Sequence, residues 1–313
     1  MTFFLSTAVV LLIFLNGATD ASNAIASAVS SRALTMRQAA LLSAALNVAG
    51  GALSGVLFTR VGESVAGTAD FGSFGEAGAL SCLLSAVIFT ALAWVFRLPT
   101  SESHALLSAL AGVSAATGGG GIWSAIAPLA VWMTVCTAGG FSAGLVVARF
   151  FRRKSSAVRV RRMQIVSAAL FSFFHGAQDL PKFLALLMAA GTVSVRPPFS
   201  VWAASALVMG IGTLLGGRRM TEAVGCDLAS LTPKGALASD LAAAGTLCVL
   251  SIAGVPASTT HAKTAAVAGT SLLSPGCRLY RRQFFRFLIA WLFTFPVCAA
   301  LGFGCVRVLA CFF

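Results

Sequence analysis

Asn16-Gly17-Ala18-Thr19-Asp20-Ala21-Ser22-Asn23 stands inside a stretch, Phe3 to Val29, that is otherwise mostly apolar and carries no other charge. A glycine, a carboxylate, two amides and two hydroxyls occupy positions where hydrocarbon is expected. At membrane depth such groups are costly unless they line a wet or protein-walled cavity, so they read as functional by default.

The bulk composition supports that depth. Hydrophobic residues make up 58% of the 313 and charged residues 10%, with a mean hydropathy of +0.91. A soluble domain carries about 25% charged residues, so the chain reads as an all-α polytopic membrane protein. The net charge of +13 does not point to nucleic acid, because the basic residues gather in a few short loops. Eight cysteines are scattered without a Cys-x-x-Cys pair, which suits small apolar residues in helices rather than a disulfide or metal framework. No basic region precedes the first apolar run, so Phe3 onward is expected to be a retained span and not a cleaved leader.

Ten segments of roughly 20 residues are predicted, at about 3–30, 38–58, 77–96, 99–117, 122–148, 163–190, 198–216, 236–254, 256–274 and 284–311. The first and sixth are long enough to be two half-helices joined at a polar break. If all ten cross, the loops after the odd-numbered segments hold seventeen of the 22 Lys and Arg residues. The opposite loops hold Arg60 and Arg196, the first beside Glu63, Asp70 and Glu76. The positive-inside rule then places both termini outside the cytoplasm of a plasma-membrane protein.

The chain also repeats itself. Asn16-Gly17-Ala18-Thr19-Asp20 returns 159 residues later as His175-Gly176-Ala177-Gln178-Asp179. Pro99-Thr100-Ser101-Glu102-Ser103-His104 returns 157 later as Pro256-Ala257-Ser258-Thr259-Thr260-His261. Five segments per half is an odd number, so the halves insert with opposite orientations. This is the inverted-repeat plan of secondary transporters, with broken helices at the repeat interface. The expected division is a first repeat at 1–148, a basic cytoplasmic linker at 149–162 and a second repeat at 163–313.

Asp20, Glu102, Asp179, Lys182, Asp240 and Lys263 are charged residues within or near apolar segments. Each costs about 2.5–3.5 kcal/mol at a helix centre on insertion scales, so they are expected to share a compensating site or to lie near an interface. Asp240, at the start of its segment, fits either. Glycine before Asp20 and Asp179 is expected to let the helix unwind and expose carbonyls. Together with the carboxylates, the side chains of Asn23, Gln178 and Thr19 would offer hard oxygen to sodium, with Asp20, Asn23 and Asp179 as its ligands. A protonatable Asp would serve proton coupling with the same residues. The Pro-Ser-His motifs call for an anion instead. Backbone N–H groups and a positive dipole at a helix start, with hydroxyls of Ser101, Ser103, Ser258, Thr259 and Thr260, suit an oxyanion that Lys182 or Lys263 would neutralise. One hydroxyl in each copy is expected to serve as a helix cap. His104 and His261 read as positioning residues, and His175 stands where the first copy has Asn16, so its role need not be symmetric.

At these residues the chain resembles the inorganic phosphate transporter family. That family carries Gly-Ala-Asn-Asp-x-x-Asn in one half, His-Gly-x-Asn-Asp-x-x-Lys in the other, and a Pro-x-Ser-Thr-Thr-His motif after each. Here they read Gly17 to Asn23, His175 to Lys182, Pro99 to His104 and Pro256 to His261, over almost the whole chain. The resemblance implies a phosphate symporter driven by sodium or protons, with no cofactor, built from inverted repeats in a family whose members are often homodimers. By motif position, Asp20, Asn23 and Asp179 correspond to cation-site residues. Ser101, Ser103, Ser258, Thr259 and Thr260 correspond to anion-site residues. Thr19 and Gln178 stand where the family has Asn, and Glu102 where it has Thr, beside the expected oxyanion. An ionised Glu102 would repel phosphate, so it is protonated, paired with a lysine or part of the coupling.

Three other functions fit parts of the pattern. A sulfate permease shares the same features, and Glu102 as an acceptor argues modestly for a protonated phosphate instead. A passive anion channel would not accumulate its ion. An intramembrane hydrolase with Ser101 or Ser103 and His104 requires one catalytic centre in space, whereas the motif is duplicated.

Overall fold

A computed structural model describes residues 1–71, 74–96, 100–118, 122–151, 156–194, 196–224 and 228–312, with the backbone only at 21, 122–125, 218–220 and 222–224. Pro99, Arg97 and the Arg152–Lys154 cluster lie outside the described residues.

The first half contains α1 (Thr2–Ser30), α2 (Met36–Leu57), α3 (Thr59–Ala66), α4 (Gly75–Val95), α5 (Glu102–Thr117) and α6 (Ile122–Phe150). The second contains α7 (Ala157–Ala189), α8 (Phe199–Val224), α9 (Pro233–Ala253), α10 (Thr259–Leu273) and α11 (Arg281–Leu309). Two-residue strands β1 (Ala229–Ser230) and β2 (Arg278–Leu279) pair antiparallel between the loops that follow α8 and α10. All ten predicted segments are helices, and α3 is an additional short one. The loop arginines Arg159, Arg161 and Arg162 belong to the first turns of α7, which starts at Ala157 rather than 163.

Among the described residues, α1, α2, α4, α6, α8, α9 and α11 contain stretches long and apolar enough to cross a membrane. This is a multi-pass membrane protein. α5 and α10 have only 16 and 15 residues, about 24 and 23 Å at 1.5 Å per residue, short of the roughly 30 Å hydrocarbon layer. Non-helical residues precede each, Thr100 and Ser101 before α5 and Val255 to Ser258 before α10, and the first turn of each is buried in protein. They are short helices with non-helical entries, whereas the half-helices expected within the first and sixth segments are not found, since α1 and α7 are continuous. α7, 33 residues long, has every residue from His175 to Leu187 buried.

The packing repeats with the sequence. α1 lies against α8 and, as its twin, α7 against α2. α5 lies against α11, and α10 against α6. Each half therefore packs its site helices on the other half.

The expected unwinding at Gly17 and Gly176 does not occur. α1 and α7 run without a break through both glycines, and neither has a positive φ. A Cβ on Gly17 would stand 2.1 Å from the Met209 carbonyl oxygen of α8, and one on Gly176 would stand 2.2 Å from that of Asn47 in α2. The same relation recurs where α5 and α10 meet the opposite half, at Gly112 against Ala299 and Gly269 against Phe141. These glycines let helices from opposite halves touch backbone to backbone. Intact helical hydrogen bonds explain the difference, since freeing carbonyls in an apolar interior costs several kcal/mol each.

Candidate ion-binding site at the repeat interface

The site lies where α1 and α7 meet the starts of α5 and α10. Ser101 and Ser258, in extended backbone, cap these two helices. Their Oγ atoms accept from the His104 and His261 backbone N–H groups at 3.3 and 3.2 Å. The two hydroxyls also bond each other at 2.7 Å, so the pseudo-twofold axis relating the halves passes between them. His104 and His261 flank it with ring centroids 5.7 Å apart, and His261 stacks on Trp291. Ser258 Oγ is within 2.7 Å of His261 Nδ1. Ser101 and Ser258 are therefore the one capping hydroxyl expected in each copy.

The remaining hydroxyls point to carboxylates. Thr259 donates to Asp20 Oδ2 at 2.9 Å and Thr260 to Oδ1 at 3.1 Å, while Asn23 donates to Oδ1 at 3.2 Å and to Thr260 Oγ1 at 3.1 Å. Across the axis, Lys182 donates to Asp179 Oδ1 at 2.5 Å and to Ser103 Oγ at 2.6 Å. Asn16 donates to Asp179 Oδ2 at 3.1 Å, so this aspartate is held from both halves. His175 Nδ1 is 3.0 Å from Asn47 Oδ1, and its Nε2 faces Asp179 Oδ2 at 3.2 Å and Asp20 Oδ2 at 3.9 Å. Ligand atoms of Asp20, His175 and Asp179 all lie within 4.8 Å of one another, close enough to share a cation or a proton.

Glu102 enters the same cluster. Its Oε1 accepts from Thr19 at 2.6 Å, while Oε2 is buried without a hydrogen-bond partner among the described residues, as is Asn16 Oδ1. Gln178 faces away from the aspartates. It donates to Ser251 at 3.0 Å and accepts from the Ala257 N–H at 3.1 Å, holding the non-helical segment before α10.

The structure thus gathers Asp20, Asn23, Thr19, Glu102, Ser103, His175, Asp179, Lys182, Thr259 and Thr260 into one cluster, mostly buried. Lys263 pairs with Asp240, whose other oxygen accepts from Ser27. The pairing was not evident because Asp240 and Lys263 have no charged twins in the first half. Asn16 and Asn47 were missed as well. Asn16 stands in register with His175 in the repeat, and that was the available signal.

A cavity of about 310 Å³ leads away from the cluster. Asn23, Ser27, Thr260 and Lys263 line one part and Leu228, Ser230 and Tyr280 another, next to the β1–β2 ribbon in the Lys- and Arg-bearing loops. Lys263 and Asp240 stand on or beside this route. Lys263→Met alone strands a buried carboxylate and is expected to cost about 3–5 kcal/mol. Adding Asp240→Leu is expected to restore most of the loss, read as the melting temperature of the purified protein in detergent. Equal losses in the single and double variants would show that the pair is not what holds these residues.

The chain matches the Phosphate transporter family twice, over residues 16–161 and 151–302, one match for each half. The chain belongs to the phosphate transporter family. It is 33% identical over 307 residues to a probable low-affinity inorganic phosphate transporter of Mycobacterium bovis, covering 92% of this chain and 73% of that one. A protein of the same description from Bacillus subtilis is 30% identical, with 92% and 91% covered. A solved sodium-dependent phosphate transporter has the same fold, with a TM-score of 0.83, 20% identity and coverage of 100% and 99%. These relatives are transporters, in agreement with the reading of this family member as a non-enzyme with a small anionic substrate.

Proposed function

We propose that the protein imports inorganic phosphate by symport with a cation, sodium or a proton, through alternating access between its halves. The observation that carries this reading is the seating of Asp20 on the hydroxyls of Thr259 and Thr260 at the start of α10. A helix start with free N–H groups and hydroxyls attracts anions, yet here a carboxylate holds its donors. A cation taken up by Asp20 would weaken that hold and free the two hydroxyls to donate to phosphate oxygens. The central cluster also holds three carboxylates, Asp20, Glu102 and Asp179, against one ammonium, Lys182. A cation or proton taken up by these carboxyl groups offsets their repulsion of an entering anion, which supports coupled transport.

Glu102 supports phosphate over sulfate. Its unpartnered Oε2 is an acceptor suited to the P–OH of a protonated phosphate, a donor that sulfate lacks near neutral pH. The cavity towards the basic loops fits an inward-facing arrangement if those loops are cytoplasmic. If α4 with α5, and α9 with α10, enter and leave by one face as hairpins, the loops after α1, α6, α8 and α10 keep their side and sixteen of the seventeen basic residues, all but Arg97, and both termini stay outside.

Radiolabelled phosphate uptake into proteoliposomes tests the reading. Accumulation above equilibrium under an inward sodium or proton gradient is expected, with competition by phosphate exceeding that by sulfate. Equilibration without accumulation would mark a channel, and stronger competition by sulfate a sulfate permease. For the orientation, Cys311, exposed near the C-terminus, is expected to react with an impermeant maleimide in intact cells. Reaction only after permeabilisation would invert the topology.

A further inference from the structure

The two halves present the same three oxygens in twin positions, and only one set has a resident cation. In the second half, Lys182 Nζ touches Asp179 Oδ1 at 2.5 Å, Ser103 Oγ at 2.6 Å and the Ala257 carbonyl oxygen at 2.6 Å. The twins of these atoms in the first half are Asp20 Oδ1, Thr260 Oγ1 and the Thr100 carbonyl oxygen. They also converge, with Thr260 Oγ1 at 3.1 Å from Asp20 Oδ1 and 3.3 Å from the Thr100 oxygen. The twin of Lys182 is Asn23. Each follows its aspartate by three residues, and each donates to that aspartate and to the hydroxyl at the start of the opposing short helix. One carboxylate, one hydroxyl and one carbonyl oxygen form a hard-oxygen set suited to a monovalent cation. The second half fills it with an ammonium and the first with a neutral amide.

We infer that Lys182 is a tethered counter-cation, standing in the second half where the first half takes an exchangeable one. This rests on the symport reading above, and it fixes the number of cations. Coupling runs through the Asp20 set alone, and the Asp179 set carries its positive charge through every cycle. Lys182 is accordingly a positioning and stoichiometry-determining residue rather than a ligand of phosphate. It is completely buried and its three donors are already used by oxygens of the protein. A phosphate contact would require breaking one of them.

The experiment is to make the halves alike. Lys182→Asn recreates the first-half set around Asp179. In proteoliposomes, the ratio of cation to radiolabelled phosphate, from reversal of flux against imposed sodium and proton gradients, is expected to rise by one cation relative to wild type. The melting temperature of Lys182→Asn in detergent is expected to depend on sodium or on proton concentration more steeply than that of wild type. An unchanged ratio with weakened phosphate affinity would overturn the inference and return Lys182 to the anion. If Lys182→Asn carries no flux, Asn23→Lys decides. Phosphate counterflow that no longer responds to external cation supports a tethered charge, whereas counterflow that still responds, or is lost in a folded protein, overturns it. Failure of wild-type protein to accumulate phosphate in the same vesicles would refute symport itself and is read separately.

Discussion

Asp20→Asn is expected to reduce gradient-driven phosphate accumulation by about a hundredfold or more, while leaving the protein folded. Asp20 accepts from Thr259, Thr260 and Asn23, all neutral donors, and no ammonium among the described residues pairs with it. An amide of the same shape keeps part of this hydrogen bonding but removes the charge that draws the cation. A hundredfold loss corresponds to about 2.7 kcal/mol, at about 1.36 kcal/mol per tenfold. Asp179→Asn should act differently, because it leaves the buried Lys182 ammonium without its carboxylate. Its main effect is expected in the yield of folded protein. The pair of variants is checked by uptake under a sodium or proton gradient, with size-exclusion profiles reporting folding. Accumulation near the wild-type level in Asp20→Asn would remove this residue from the coupling mechanism.

Gly17→Val is expected to prevent folding altogether. Overpacking usually costs about 1–3 kcal/mol because side chains can shift to relieve it. At Gly17 the obstacle is the backbone of Met209, with a carbonyl oxygen 2.1 Å from the added Cβ. No rotamer relieves that contact, so α1 and α8 must separate and carry Asp20 away from α10. Gly245 provides the comparison. It also lies within a helix, α9, but a Cβ there meets nothing within 4 Å. Gly245→Ala is expected to be neutral or stabilising by up to about 1 kcal/mol, the usual helix preference for Ala. Expression followed by size-exclusion chromatography in detergent separates the two. A monodisperse Gly17→Val protein would show that the close crossing is not required.

The contrast between these glycines indicates how much could be read from the chain. Gly17 was legible as special because it stands beside Asp20 in a repeated motif. Its physical role was misread, since sequence neighbours suggested a local break when the constraint came from a helix almost 200 residues away. The repeat itself was plain, and so was a capping hydroxyl in each copy, because caps and periodic hydrophobicity are local. That Ser101 and Ser258 supply it was not. The pairing of Lys263 with Asp240 was not. In sequence, Lys182 and Lys263 are equivalent candidates for neutralising an anion, and only their neighbours in space separate them.

Composition and repetition alone determined a helical membrane protein in two oppositely inserted halves, with its polar residues concentrated at the interface. Those features follow from the cost of burying charge and from chain parity, which need no coordinates. Only the tertiary structure decided which oxygens converge. Asp20 meets Thr260 across 240 positions of chain, and Lys182 takes the place of Asn23 across the axis. Such contacts depend on how closely α1, α7, α5 and α10 approach one another, a distance set by the glycine crossings and not by any one motif.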